Sequence, residues 1–319
     1  MPRAPHSGDW VSLLALTVLW GSAFLLNEIA LASLPPSILV AGRILIAAAL
    51  IFAYLRLTGN SLPAPGRAWL PMLVLALFGN VVPFHLVAWA QQHIDSSLAG
   101  VLMAVMPLFV LTLAHFLVPG ARLTLFRAAG FVVGFTGVVC IIGPDFERGL
   151  DGNLALWGAI AALGAALSYS ISAIYARRLG AGDPVRRSAG MLIVASMLSL
   201  PAAAFDMPAI TTPSIGAIVA LLVLGLLTTG FATLLYFRLV QGPGPTFLSL
   251  VNYLVPAWAV VAGVLFLDES LSPSLFVGLV LILSGIALSE IGPRVLHTMQ
   301  ALRARSLTAS MRRVAREDA

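Results

Sequence analysis

Ten apolar stretches occupy this chain between residues 10 and 292, parted by short polar breaks. Each approaches the length, roughly 20 residues, at which an α-helix crosses a bilayer core of ~30 Å. That core holds no water, so a helix that closes its own hydrogen bonds is the form such a run takes there. The pattern predicts spans over 10–30, 37–56, 69–90, 97–117, 126–143, 154–176, 187–206, 215–238, 246–267 and 274–292. Breaks fall where turn chemistry is dense, as at Leu34-Pro35-Pro36-Ser37, Gly59-Asn60-Ser61, Pro119-Gly120 and Gly242-Pro243-Gly244-Pro245. Composition agrees: 60% of residues are hydrophobic and 10% charged, against roughly 25% charged in a soluble domain. The fold expected is an all-α integral membrane protein with ten transmembrane helices.

The charges set the orientation. All 18 cationic side chains are arginine. Sixteen of them fall on one side of the predicted spans: Arg3, Arg56, Arg67, Arg122, Arg127, Arg177, Arg178, Arg186, Arg187, Arg238 and six in the tail from Arg294 to Arg316. The other side holds Arg148 with Asp145, Glu147, Asp151, Asp206, Asp268 and Glu269, and Arg43 lies within a span. That asymmetry puts both termini in the cytoplasm and requires an even number of crossings. It also accounts for the formal charge of +5 without nucleic acid as a partner. The first apolar run is longer than a secretory signal and is followed by more spans, so it is read as an uncleaved helix. Cys140 is the single cysteine, so no disulfide can form within the chain.

The two halves resemble each other. At an offset of 148, Pro36 falls on Pro184, Gly42 on Gly190, Gly130 on Gly278 and Gly137 on Gly285. At 149, Pro107 meets Pro256, and Gly143-Pro144 meets Gly292-Pro293. Matches in chain order at nearly one offset indicate a duplication. The units are 10–143 and 154–293, joined by a periplasmic connector at 144–153 and followed by a basic cytoplasmic tail at 294–319. Five spans per unit is odd, so the second unit enters the membrane from the opposite side. Secondary transporters are commonly built from such inverted repeats, with the site near mid-membrane between them.

Four motifs add a resemblance. Trp20-Gly21-Ser22-Ala23-Phe24 resembles the W-G-S-x-F signature of EamA-type transporters in the drug/metabolite transporter superfamily. The stretch from Leu98 to Pro107 resembles the family's A-x-x-L-x-x-x-x-P, and Phe247 to Pro256 its second copy. Leu267-Asp268-Glu269-Ser270-Leu271 resembles L-G-E-x-L, with Asp268 where glycine is usual. The resemblance covers residues 10–293. It implies ten helices in two inverted repeats and export of small metabolites, and within the family it is nearest to bacterial exporters of aromatic and other neutral amino acids.

Polar groups inside the membrane are costly and mark candidate sites. Trp20, Ala23 and Asn27 share a face of the first helix by spacing, Trp20 to wall a pocket and Asn27 to hydrogen-bond a solute. Interfacial anchoring and helix–helix contact are the alternative for both. Arg43 could bind a carboxylate bidentately, or serve as a structural partner for a loop or for Glu28. The third helix carries Asn80, Pro83, His85 and Trp89. His85 is the mid-membrane histidine, able to relay protons or simply to pack. Tyr169 and Ser172 in the sixth helix, Thr229 and Tyr236 in the eighth, and Asn252 and Trp258 in the ninth complete the expected cavity, although serines and threonines also serve helix packing. Pro107 and Pro256 are expected to bend the fourth and ninth helices around it.

This list is aromatic and hydroxyl-rich with little charge, and it suits a neutral solute such as an amino acid. No cofactor and no metal are called for. The partners are a small-molecule substrate and membrane lipid, and the oligomeric state is open, a monomer included. A membrane enzyme would need clustered acids or histidines, and neither H-E-x-x-H nor paired mid-span carboxylates occur. A channel and an exporter of other metabolites are the remaining alternatives.

Overall fold

A computed structural model describes residues 4–118, 124–147, 153–180, 182–207 and 212–289, with the side chains of 144–147, 245 and 246 left aside. The tail at 294–319 and residues 148–152 of the 144–153 connector lie outside the described residues. Among those described, eight helices are long and apolar enough to cross a membrane. They are α1 (Ser7–Leu31), α2 (Pro36–Leu57), α3 (Trp69–Ala90), α4 (Ser96–Leu117), α5 (Leu125–Gly143), α6 (Leu154–Arg178), α7 (Pro184–Asp206) and α8 (Ile215–Gln241). Two shorter apolar helices follow, α9 (Val251–Leu267) and α10 (Pro273–Ser289). Prolines stand at the first turn of α2 and α7, where the missing N–H has no partner to lose and the fixed φ suits the helix.

The inversion of the two units is visible at α5 and α10. A Cβ on Gly137 would lie 2.7 Å from the carbonyl oxygen of Gly278, and one on Gly278 would lie 2.9 Å from that of Gly137. Gly130 and Gly285 oppose each other in the same way. Gly137 thus touches Gly278, the repeat equivalent of Gly130, and Gly130 touches Gly285, the repeat equivalent of Gly137, which is the signature of a two-fold axis. Numbers rise along α5 as they fall along α10, so the two equivalent helices cross antiparallel. An axis along the membrane normal would make them parallel, so this axis lies in the membrane plane. Only glycine lets two backbones approach this closely.

The units interlock. The helix α1 packs on α8 and α9 of the second unit, and its equivalent α6 packs on α3 and α4 of the first. The helices α2 and α7 pack on each other, α2 also on α8 and α7 on α3.

Both units also carry π-helical segments at matching places. In α3 the segment is Leu77–Val81, and in α8 it is Leu224–Phe231. Shifting 77–81 by 148 gives 225–229, inside the second segment. The chemistry of the first is readable: Pro83 has no N–H to offer the Gly79 carbonyl, and the Val82 N–H reaches back five residues to the carbonyl of Leu77. In the second, Ala232 does the same to Leu227, and the hydroxyls of Thr228 and Thr229 both donate to the Leu224 carbonyl, at 2.9 and 2.8 Å. Such bulges cluster at functional sites.

The fourth and ninth helices are both interrupted, though not alike. The break in α4 is at residues 104–105, just before Pro107. The ninth span, expected over 246–267, is a short helix Pro245–Leu248, a turn at 249–250, then α9. Pro256 lies inside α9, six residues past that turn. The first half of α4 (Ser96–Met103) packs on α9, whereas its second half (Met106–Leu117) packs on α6.

Candidate functional site

Three expected cavity residues meet where α2, α3, α6 and α8 converge. Arg43 is 8% exposed. Its Nε donates to Thr229 Oγ1 at 2.7 Å, and its guanidinium carbon lies 4.1 Å from the centre of the Phe84 ring. The Phe84 and Tyr169 rings are edge to face at 6.4 Å, which places Tyr169 beside the cation. Desolvated cation–π contact is worth roughly 2 kcal/mol. The π-segment of α8 sets this geometry, because the Thr229 hydroxyl hydrogen is committed to Leu224 and its lone pair is left for Arg43. The alternative partner considered for Arg43, Glu28, does not pair with it: Glu28 reaches Gln91 instead.

A second group lines α1, α8 and α9. Trp20 and Tyr236 are tilted against each other at 5.9 Å. The Trp258 indole donates to Ser22 Oγ at 2.8 Å, and it packs on Gly21, where a Cβ would lie 2.6 Å from the ring. The W-G-S run therefore seats Trp258: glycine makes the room and serine accepts the N–H. Below this level a cleft of about 180 Å³ is lined by Met106, Pro107, Val110, Leu111, Asn252 and Ile286. It lies on the arginine-rich side of the α4–α9 contact, where those two helices part.

On α3, His85 Nδ1 is 2.7 Å from the Val81 carbonyl. A carbonyl can only accept, so Nδ1 carries the proton and Nε2 is the basic atom of the neutral ring. That Nε2 is enclosed and unpartnered, as is Asn80 Nδ2. The serines of α6 pack on this segment. Ser168 donates to the Phe78 carbonyl at 2.9 Å, and a Cβ on Gly79 would lie 2.7 Å from Ser172 Oγ.

Two expected residues stand apart. Asn27 is buried and donates to Gln91 Oε1 at 3.0 Å, while Gln91 donates to the Phe24 carbonyl at 2.8 Å. Its amide joins α1 to the end of α3. Trp89 is 38% exposed, one turn from His85, and its ring is tilted against that of His93 with centroids 4.5 Å apart.

Sequence reasoning missed a seal at the acidic side. Glu269 accepts from the backbone N–H of Ser96 at 2.8 Å and of Ser97 at 2.9 Å, and from the Ser97 hydroxyl. One carboxylate of the second unit thereby caps α4 of the first. Asp268 before it is left-handed, with φ 54°, a conformation costly for residues other than glycine. This is the physical reason a glycine suits that position of the motif. Burial and the nearby Glu269 push the Asp95 carboxyl above its usual range. An aspartate raised in the fold favours folding below its unfolded value and loses that contribution as pH rises through the raised value. Asp95→Asn is therefore expected to raise the melting temperature at neutral pH. Melting curves taken at falling pH should show the gain vanish as the wild-type carboxyl becomes protonated.

Ten apolar helices in two inverted five-helix units are the architecture of a secondary transporter. The EamA-like transporter family matches the chain twice, over residues 8–143 and 156–291, and the chain belongs to that family. The chain is 28% identical over 285 residues to the uncharacterized inner membrane transporter YedA of Escherichia coli, covering 88% of this chain and 90% of that one. It is 25% identical over 278 residues to the uncharacterized transporter YoaV of Bacillus subtilis, covering 86% and 94%. Protein PagO of Salmonella typhimurium is 26% identical over 253 residues, covering 78% and 82%. A solved crystal structure of 22% identity superposes with a TM-score of 0.65, covering 91% of this chain and 100% of that one, a likeness of fold.

Proposed function

We propose that this chain exports small neutral metabolites, amino acids with aromatic ones among them, across a bacterial inner membrane by alternating access. The observation that carries the reading is the in-plane two-fold relation of the units. One packing solved in two orientations supplies two states of similar energy, each open to one side. The solute is held between the units by Trp20, Arg43, Asn80, His85, Tyr169, Ser172, Thr229, Tyr236, Asn252 and Trp258, with Asn27 and Trp89 towards the periplasmic end. Supporting an aromatic solute, the tilted Trp20–Tyr236 pair offers a ring-sized apolar wall. Supporting a neutral one, Arg43 is the mid-span cation, and no Asp or Glu lies mid-span. The breaks next to Pro107 and before Pro256 are where helices four and nine bend as access alternates.

Counterflow in proteoliposomes tests this. Vesicles preloaded with an unlabelled amino acid should take up the labelled one faster than empty vesicles, and absence of counterflow with every amino acid sinks the amino-acid reading. Trp20→Ala and His85→Ala are each expected to cut uptake by roughly tenfold or more while the purified proteins melt near the wild-type temperature. Full activity in both would move the pocket elsewhere.

A further inference from the structure

We propose that Arg43 is a carboxylate-recognition site within the membrane, and that the solutes this chain carries present a free carboxylate to it. The inference rests on the transport reading and names the chemical group its chamber selects.

A guanidinium carries five N–H donors in a planar fork. Arg43 uses one of them, Nε, on Thr229. The Phe84 ring covers one face of the plane. The other four donors, on Nη1 and Nη2, meet no acceptor among the described residues, and no carboxylate there pairs with the charge. Among the described residues, the two Nη atoms are not counted with the fully enclosed, partnerless side-chain atoms, so part of their surface remains accessible. A side chain 92% removed from solvent and holding an unneutralised charge is unfavourable unless something supplies the missing acceptors. Two parallel N–H bonds from the fork fit the two oxygens of a carboxylate. A lone cation matches the single carboxylate of a zwitterion; a phosphate ester would call for a second cation, and the described residues place none beside Arg43.

Position adds to the argument. Arg43 and Phe84 belong to the first unit, Tyr169 and Thr229 to the second, so a carboxylate held there touches both units at once. Its contacts then depend on how the units sit, which is what a carried solute needs in order to shift the equilibrium between states.

Thermal melting of the full-length purified protein tests the proposal with each of the common amino acids and, as matched probes, their carboxamides. The acid form is expected to raise the melting temperature and its amide to leave it unchanged. In Arg43→Gln the acid should bind about tenfold weaker or more. Arg43→Lys, which keeps the charge without the fork, should recover part of that loss. Equal stabilisation by acid and amide in the wild type overturns the proposal, as does a wild-type acid preference in Arg43→Gln or silence from every acid. Should Arg43→Gln fail to fold, the wild-type comparison of acid with amide decides alone. Counterflow of amides at the rate of acids would refute the carboxylate site while leaving the carrier reading intact.

Discussion

Gly285→Leu is expected to remove about 3 kcal/mol of stability or more, because the new side chain must displace backbone. A Cβ on Gly285 already overlaps the Gly130 carbonyl oxygen and lies 2.8 Å from Gly134 Cα. A flexible side chain could swing aside, but a helix backbone cannot. The helices α5 and α10 would have to separate along their crossing, losing the close contact that Gly130, Gly137, Gly278 and Gly285 make possible. Gly137→Leu should behave alike, because the two-fold relation puts it in the equivalent place against Gly278. The control is Gly216→Ala on α8, whose new Cβ meets its nearest atoms at 3.8 Å. There the gain in helix propensity, about 0.5–1 kcal/mol, should be all that is seen. Melting temperature and monodispersity in detergent read all three. If Gly285→Leu melts with the wild type, the two-fold crossing is not where this fold is held.

Glu269→Ala carries the second large effect. The carboxylate satisfies two of the four N–H groups that begin α4 and brings its negative charge to the positive end of that helix. Its removal is expected to cost about 2–3 kcal/mol, the worth of hydrogen bonds to a charged group. Glu269→Gln should cost less than alanine, since one oxygen remains while the amide nitrogen faces a donor. The loss bears on one conformation in particular. Glu269 ties the connection after α9 to the start of α4, and this is the side on which α4 and α9 are packed together. Ser96 is 0% exposed, and its hydroxyl has no partner, so Ser96→Cys in a Cys140→Ser background reports on the seal without removing a bond. A membrane-impermeant maleimide should label that cysteine slowly in the parent and several-fold faster with Glu269→Ala. Equal rates would mean that the carboxylate does not hold this side shut.

Much of this architecture could be read before any coordinates. The break at Pro35-Pro36 marks the start of α2, the seventh helix begins at Pro184 against an expected 187, and the offset glycines at 130, 137, 278 and 285 are visible as repeats. Their meaning was less visible. The motif Gly130-x-x-x-Gly134 reads as ordinary close packing, and nothing in its spacing says that the partner is its own duplicate running the other way. The π-segments had a partial signal in Pro83, whose missing N–H disturbs the ladder, but α8 has no proline within its segment and reaches the same bulge through threonine hydroxyls and glycines. Phe84 carries no signal in the sequence, because a phenylalanine in an apolar run looks like any other; only the guanidinium 4.1 Å above it makes it part of a site. Glu269 stands out as a motif residue, yet its partners lie more than 170 positions away. Asn27 and Trp89 shared the right helical faces by spacing, but a face says which way a residue points and not what already stands there.

The sequence by itself determined the solvent, the number of crossings, their sense and the doubling of the unit, because each of these follows from local hydrophobicity, from charge at the breaks, or from counting to five. Tertiary structure alone decided which polar groups meet. Arg43 finds Thr229 and not Glu28, and Asn27 finds Gln91 and not open space, because such pairings depend on the rotation and depth of helices set by packing elsewhere. A side chain's chemistry is carried in its own residue, whereas its partner is chosen by every contact that fixes the two backbones.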